Sequence, residues 1–162
     1  MIQKKIKKVL VANRGEIAIR IFRACYDMGL KTVAIYSKED VFNLFRTKAD
    51  EAYMLDPTKS PLAAYLDIDY IIDLAKRKGV DAIHPGYGFL SENADFARAC
   101  EENGIVFIGP PSDVLGKMGS KLNAKSIAIG CGVPVIPGSK EKLLGLDDAL
   151  KRADEYGYPV LL

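Results

Sequence analysis

Histidine is all but missing from this 162-residue sequence, with His84 its single representative. One imidazole with no second histidine or cysteine beside it does not make a metal-ligand set, so a strand-end residue bonded locally is the preferred reading. Cysteine is scarce as well. Cys25, Cys100 and Cys131 are odd in number and none stands in a C-x-x-C pair. That excludes the usual zinc and dithiol spacings and fits a reducing cytoplasm. No apolar stretch approaches the roughly 20 residues of a membrane span. The basic opening through Lys8 resembles the start of a signal peptide, but the apolar run Val9 to Ala12 gives out at Asn13-Arg14-Gly15-Glu16, too short for one. Neither sign of charge dominates: 23 Lys and Arg against 21 Asp and Glu leave +2, with the signs interspersed. Neither disorder nor a nucleic-acid partner follows from that balance.

Phosphate-loop signatures are also missing. Gly86-x-Gly88 is followed by Ser91 where a dinucleotide fingerprint needs glycine or alanine, and Asn13 to Glu16 holds one glycine only. Ahead of Gly116-Lys117 the Walker A glycine position is Pro111, and Met118 replaces the Ser or Thr. A nucleotide-binding oxidoreductase is weakened accordingly.

What is present is a rhythm of short β-branched runs and longer amphipathic ones, the pattern of a parallel sheet with crossover helices. A length of 162 residues buries roughly 70% of the unfolded surface, enough for one domain and a remnant. Strands are predicted at Lys8–Ala12, Thr32–Tyr36, Glu51–Leu55, Ala82–His84 and Val106–Ile108. Helices are predicted at Glu16–Met28, with Ile17, Ile21, Cys25 and Met28 on one face, at about Asp67–Lys78, and at Asn93–Asn103. Gly29, Gly79 and Gly104 end them, and Asp56-Pro57 and Ser60-Pro61 read as turns. Five strands, doubly wound, are expected.

The rhythm changes at Gly109-Pro110-Pro111. Short helices are predicted at about Asp113–Met118 and Ser120–Ile129, then an extended Val133–Pro137, a helix at Leu146–Tyr156 and a strand at Tyr158–Leu162. A chain ending on an apolar strand is expected to continue in a parent polypeptide.

Ligands of open α/β sheets sit beyond the carboxyl ends of the strands, which directs attention to Asn13–Glu16, Ser37–Asp40, Pro85–Asn93 and Gly109–Pro111. The loop His84-Pro85-Gly86-Tyr87-Gly88-Phe89-Leu90-Ser91-Glu92-Asn93 packs two glycines, two aromatics and a carboxylate into one connection. From chemistry alone it is either a structural turn or a binding loop. On the first helix, Glu16/Arg20 and Arg23/Asp27 have i,i+4 spacing, which suits a solvated ion-paired face or an interface. Lys121, just inside a helix begun by Ser120, is a surface lysine or a phosphate contact.

Val11-Ala12-Asn13-Arg14-Gly15-Glu16-Ile17-Ala18, the His84–Asn93 loop, Phe107-Ile108-Gly109-Pro110 and Val133–Gly138 resemble the biotin carboxylase family in order and spacing. The likeness runs the full length. Ile35–Asp40, Lys48–Glu51 and Tyr65–Ala75 look more like its pyruvate carboxylase branch than the bacterial acetyl-CoA carboxylase subunit. The resemblance implies an α/β, doubly wound, mainly parallel Rossmann-like pre-ATP-grasp domain over residues 1–112. Residues 113–162 would be a linker and the start of an ATP-grasp domain.

The implied chemistry uses ATP, Mg2+ and bicarbonate to form carboxyphosphate. The carboxyl group then passes to the ureido nitrogen of biotin on a carrier domain, and in the pyruvate branch onward to pyruvate, giving oxaloacetate. Lys121 matches a lysine that contacts ATP phosphate, although Ser120 stands where relatives often have Asp. Tyr87 and Gly88 match positions against the biotin ring. Arg20 and Arg23 match residues of a homodimer interface. The family's lid, metal-binding glutamates, general base and bicarbonate-binding arginine all come after Leu162, so no catalytic or metal residue is expected in this chain. By itself it is expected to be inactive. The alternatives are a biotin carboxylase subunit of an acetyl-CoA or other acyl-CoA carboxylase, and a non-catalytic scaffold domain.

Overall fold

Runs such as Val9-Leu10-Val11 and Thr32-Val33-Ala34-Ile35 are apolar on both faces, as strands covered by helices on two sides must be. In the computed structural model, which describes residues 5–138 and 142–161, they lie at the centre of a five-stranded sheet. Its strands are β1 (Lys8–Val11), β2 (Lys31–Tyr36), β3 (Glu51–Met54), β4 (Ala82–His84) and β5 (Val106–Phe107). All pairings are parallel and the order is β3-β2-β1-β4-β5. The α/β, doubly wound class expected from the sequence is the observed one.

The helices divide between the two faces. Helix α1 (Gly15–Asp27) packs Ala18, Ile21, Phe22 and Cys25 against Val9, Val11, Ala34 and Ala82. Helices α2 (Pro61–Tyr65), α3 (Ile68–Arg77) and α4 (Ala94–Glu102) cover the other face, where Ile71, Leu74, Phe96 and Cys100 meet Leu10, Val33 and Ile83. Burial pushes the Cys100 thiol up to about 12, so it packs as a small apolar group. The chain divides into two compact units between Leu115 and Gly116. Helix α5 (Ser112–Met118) buries Leu115 in the first. Helices α6 (Lys121–Gly130) and α7 (Leu146–Tyr156) belong to the second.

Three expectations are corrected. Met28 does not share the buried face of α1 and is 73% exposed; it is the C-cap, where the chain turns away through Gly29 at φ +69°. Ser60-Pro61 opens α2 rather than a bare turn, because the Ser60 hydroxyl accepts from the Ala63 N–H and proline at the first helical position gives up no needed donor. Tyr158 to Leu161 forms no strand. A strand needs a ladder partner, and among the described residues of the second unit there is none; Leu162 lies outside the described residues.

Candidate functional site at the carboxyl edge of the sheet

Strand order fixes where to look. After β1 the chain crosses to one face through α1, and after β4 it crosses to the other through α4. The loops that follow these adjacent strands lie at the switch point, where open α/β sheets place their ligands. Asn13 follows β1 there, and Pro85 to Asn93 follow His84 at the end of β4.

Asn13 is 3% exposed and holds the two loops together. Its side-chain amide donates to the Pro85 carbonyl at 2.7 Å and to the Tyr87 carbonyl at 2.8 Å, while its Oδ1 accepts from the Arg14 N–H at 2.9 Å. Both amide hydrogens are thus engaged, and the oxygen has a donor of its own. Gly86 passes over it at φ +67°, and His84 Nδ1 accepts from the Gly86 N–H at 3.0 Å. That bond requires an unprotonated Nδ1, consistent with burial holding the imidazole below its ordinary value. His84 thus proves to be a local turn partner.

Tyr87 and Gly88 form the outer rim of the loop. Tyr87 is 59% exposed, and its hydroxyl donates to the Glu16 carboxylate at the start of α1, an interaction that raises the phenol's pKa. Gly88 adopts φ +62° with open space on its side-chain side. An exposed aromatic face beside a bare backbone suits a flat, partly polar ring. Phe89 also has positive φ, +44°, which is strained for a residue with a side chain. Its ring stacks on Tyr65 with centroids 5.2 Å apart and planes 9° from parallel.

Sequence reasoning missed what lies beneath. Asp40, 1% exposed, accepts from four donors: the Arg14 guanidinium, the Asn43 amide at 2.7 Å, the Tyr65 hydroxyl at 2.9 Å and the Ser37 hydroxyl at 3.2 Å. Burial, and then this carboxylate, push the Tyr65 phenol far above its ordinary value. The Ser37–Asp40 loop was visible as a strand-end segment, but nothing in the sequence announces Tyr65 as its partner.

The remaining site residues lie elsewhere. Arg20 and Arg23 are exposed on α1. Among the described residues no ion pair joins Glu16 to Arg20 or Arg23 to Asp27; Glu16 turns to Tyr87 instead. Arg23, Tyr26 and Asp27 border a shallow hollow of about 230 Å³ with Phe22 and Lys48, and Tyr26 is 83% exposed. In the second unit Lys121 opens α6 behind the Ser120 cap, and with Lys125 and Arg152 it borders an apolar hollow of about 950 Å³. Among the described residues no three His, Cys, Asp or Glu side chains converge.

The model of the biotin carboxylase N-terminal domain family matches residues 5–115. A pyruvate carboxylase of Bacillus subtilis is 57% identical over 162 residues, all of this chain and 14% of that protein. A biotin carboxylase of Halalkalibacterium halodurans is 55% identical over 157 residues, 96% of this chain and 34% of that protein. Among solved structures, the biotin carboxylase domain dimer of the Hydrogenobacter thermophilus 2-oxoglutarate carboxylase, in complex with MgADP, ADP and bicarbonate, superposes with a TM-score of 0.90. It is 50% identical, and the match covers 97% of this chain and 34% of that one. The chain therefore spans between about a seventh and a third of the relatives it matches.

Proposed function

The chain belongs to the biotin carboxylase N-terminal domain family, and on that footing we propose that it is the amino-terminal part of a biotin-dependent carboxylase that uses Mg-ATP and bicarbonate to carboxylate protein-linked biotin. The observation that carries this reading is the loop from His84 to Asn93, held over Asn13 so that the Tyr87 ring and the Gly88 backbone face outward together. Tyr87 offers an apolar face to one side of the biotin bicycle, and Gly88 lets it come close to the backbone. Magnesium, when bound with ATP, would neutralise phosphate charge, with ligands from outside the residues described here. Lys121 adds a cation for ATP phosphate in the second unit, where the hollow beside it has the size of a small-molecule site.

Pyruvate is the acceptor we favour, on the branch-like residues Ile35–Asp40 and Tyr65–Ala75 and the likeness to a pyruvate carboxylase. Residues 1–112 make the pre-ATP-grasp domain in this reading and 113–162 the opening of an ATP-grasp domain. The Arg20 and Arg23 face, with its exposed Tyr26, is assigned to contact with a second copy. A biotin carrier domain is the other partner, and the cytoplasm is the proposed setting.

The test is bicarbonate-dependent ATP cleavage by the polypeptide that carries this chain, with and without free biotin, followed by transfer of labelled carboxyl to pyruvate. Stimulation by biotin supports the reading, and cleavage indifferent to biotin overturns it. Transfer to an acyl-CoA but not to pyruvate would keep the biotin step and replace the acceptor. The 162-residue chain on its own should fold over the first unit and show no such cleavage, because phosphoryl transfer depends on charges placed by the rest of the enzyme.

A further inference from the structure

Asp40 lies in a different loop from Tyr87 and Gly88, yet both anchors of their loop lead back to it. One arm runs through Arg14, whose guanidinium meets the Asp40 carboxylate and whose N–H donates to Asn13 Oδ1. That bond turns the Asn13 amide so that Nδ2 holds the carbonyls of Pro85 and Tyr87. The other arm runs through Tyr65, whose hydroxyl donates to Asp40 Oδ2 and whose ring stacks on Phe89. The first arm holds the loop just before Gly88 and the second just after it. Arg14 also sits over the Tyr65 ring at 6.0 Å, which closes the two arms on each other.

A carboxylate at 1% exposure is costly to bury unless its lone pairs are filled, and here four donors fill them. Fold maintenance alone does not require that two of the four, Arg14 and Tyr65, be the residues that grip a strained, exposed loop. Phe89 at φ +44° would relax if its stacking partner were free to move.

We propose that Asp40 is a positioning residue for the Tyr87–Gly88 surface: it fixes the loop through Arg14 and Asn13 on one side and through Tyr65 and Phe89 on the other. The inference rests on the reading of that surface as the biotin pocket. Asp40 touches no substrate. It acts by lowering the number of conformations the loop can take before biotin arrives.

Two measurements test it. In the carboxylase polypeptide, Asp40→Asn keeps the side-chain shape but presents an amide N–H₂ where one oxygen accepted. It should raise KM for free biotin by about tenfold while KM for ATP stays within about twofold. Tyr65→Phe keeps the stack, cuts one arm only, and should give a smaller rise of the same kind. In the 162-residue chain, Asp40→Asn should speed exchange of the Gly86 and Ser91 amides, which donate to His84 Nδ1 and the Gly88 carbonyl, by about tenfold or more. The Ala12 and Ile108 amides, bonded to the His84 and Ile83 carbonyls in the sheet, should keep their rates. Parallel acceleration of all four amides, or an unchanged KM for biotin in both variants, overturns the proposal. If ATP cleavage by the unaltered polypeptide ignores biotin, the pocket reading fails and takes the ligand named here with it; the exchange pattern separately decides whether Asp40 holds the loop.

Discussion

The Asn13 side chain fills the space that a Cβ on residue 86 would need: a carbon built there would lie 2.6 Å from Asn13 Nδ2 and 2.9 Å from its Cβ. Asn13 cannot swing aside without giving up the carbonyls of Pro85 and Tyr87. The glycine and the asparagine are one device, in which a bare backbone at positive φ lets a buried amide reach two carbonyls of the same turn.

Gly86→Ala should therefore destabilise the first unit by about 2–4 kcal/mol, combining left-handed strain with an overpacked contact. Gly88→Ala should cost only the strain, about 1–2 kcal/mol, since nothing stands beside it. Urea midpoints of the two variants test the ranking, and equal values would remove Asn13 from the account.

At Phe89 the expected order is inverted relative to ordinary loop positions. Phe89→Gly and Phe89→Ala both lose the stack on Tyr65, worth about 0.5–1.5 kcal/mol. Only glycine is at ease at φ +44°. The glycine variant should be the more stable by about 1 kcal/mol in denaturant titrations.

Stability should fall as pH drops below 6.5, the ordinary histidine value. Burial depresses the folded-state pKa of His84, so in that window the unfolded chain takes up a proton that the folded chain refuses. The loss ends once pH passes below the depressed value, and its slope for one proton is at most about 1.4 kcal/mol per pH unit. His84→Asn, which offers an acceptor to the Gly86 N–H without titrating, should flatten this part of the curve. A parallel curve for the variant would assign the slope to other groups.

Lys121→Ala, made in the carboxylase polypeptide, should raise KM for ATP by about tenfold or more, the loss of a charge-assisted phosphate contact of roughly 1.5–3 kcal/mol. An unchanged ATP dependence would leave Lys121 an ordinary surface lysine.

The sheet and its covering helices were legible because their signals are local. β-Branched runs give strands, 3.6-residue periodicity gives helices, and Gly29, Gly79 and Gly104 end helices at positive φ where they were expected to. The candidate loop was legible from its density of glycine and aromatic residues. Its supports were not. Arg14, Asp40, Tyr65 and Phe89 come from four separate segments, after β1, β2, β3 and β4 in turn, and meet because those strands are neighbours in the sheet. Spacing on a helix misled as well: Glu16 and Arg20 are four apart, yet Glu16 bonds to Tyr87, 71 residues away. An i,i+4 pair contributes a few tenths of a kcal/mol, so a tertiary partner readily displaces it.

The central place of β1 in the strand order also sets a schedule for a chain leaving the ribosome. Its partner on one side, β2, is synthesised directly after α1, and the β1–α1–β2 unit can close early with little loop entropy to overcome. Its partner on the other side, β4, comes much later, and the carbonyls that Asn13 holds lie 72 and 74 residues downstream. Asn13 therefore emerges without the groups it will bind, and the loop is fastened only when the second half of the sheet docks. A ligand of that loop consequently selects finished molecules over half-made ones.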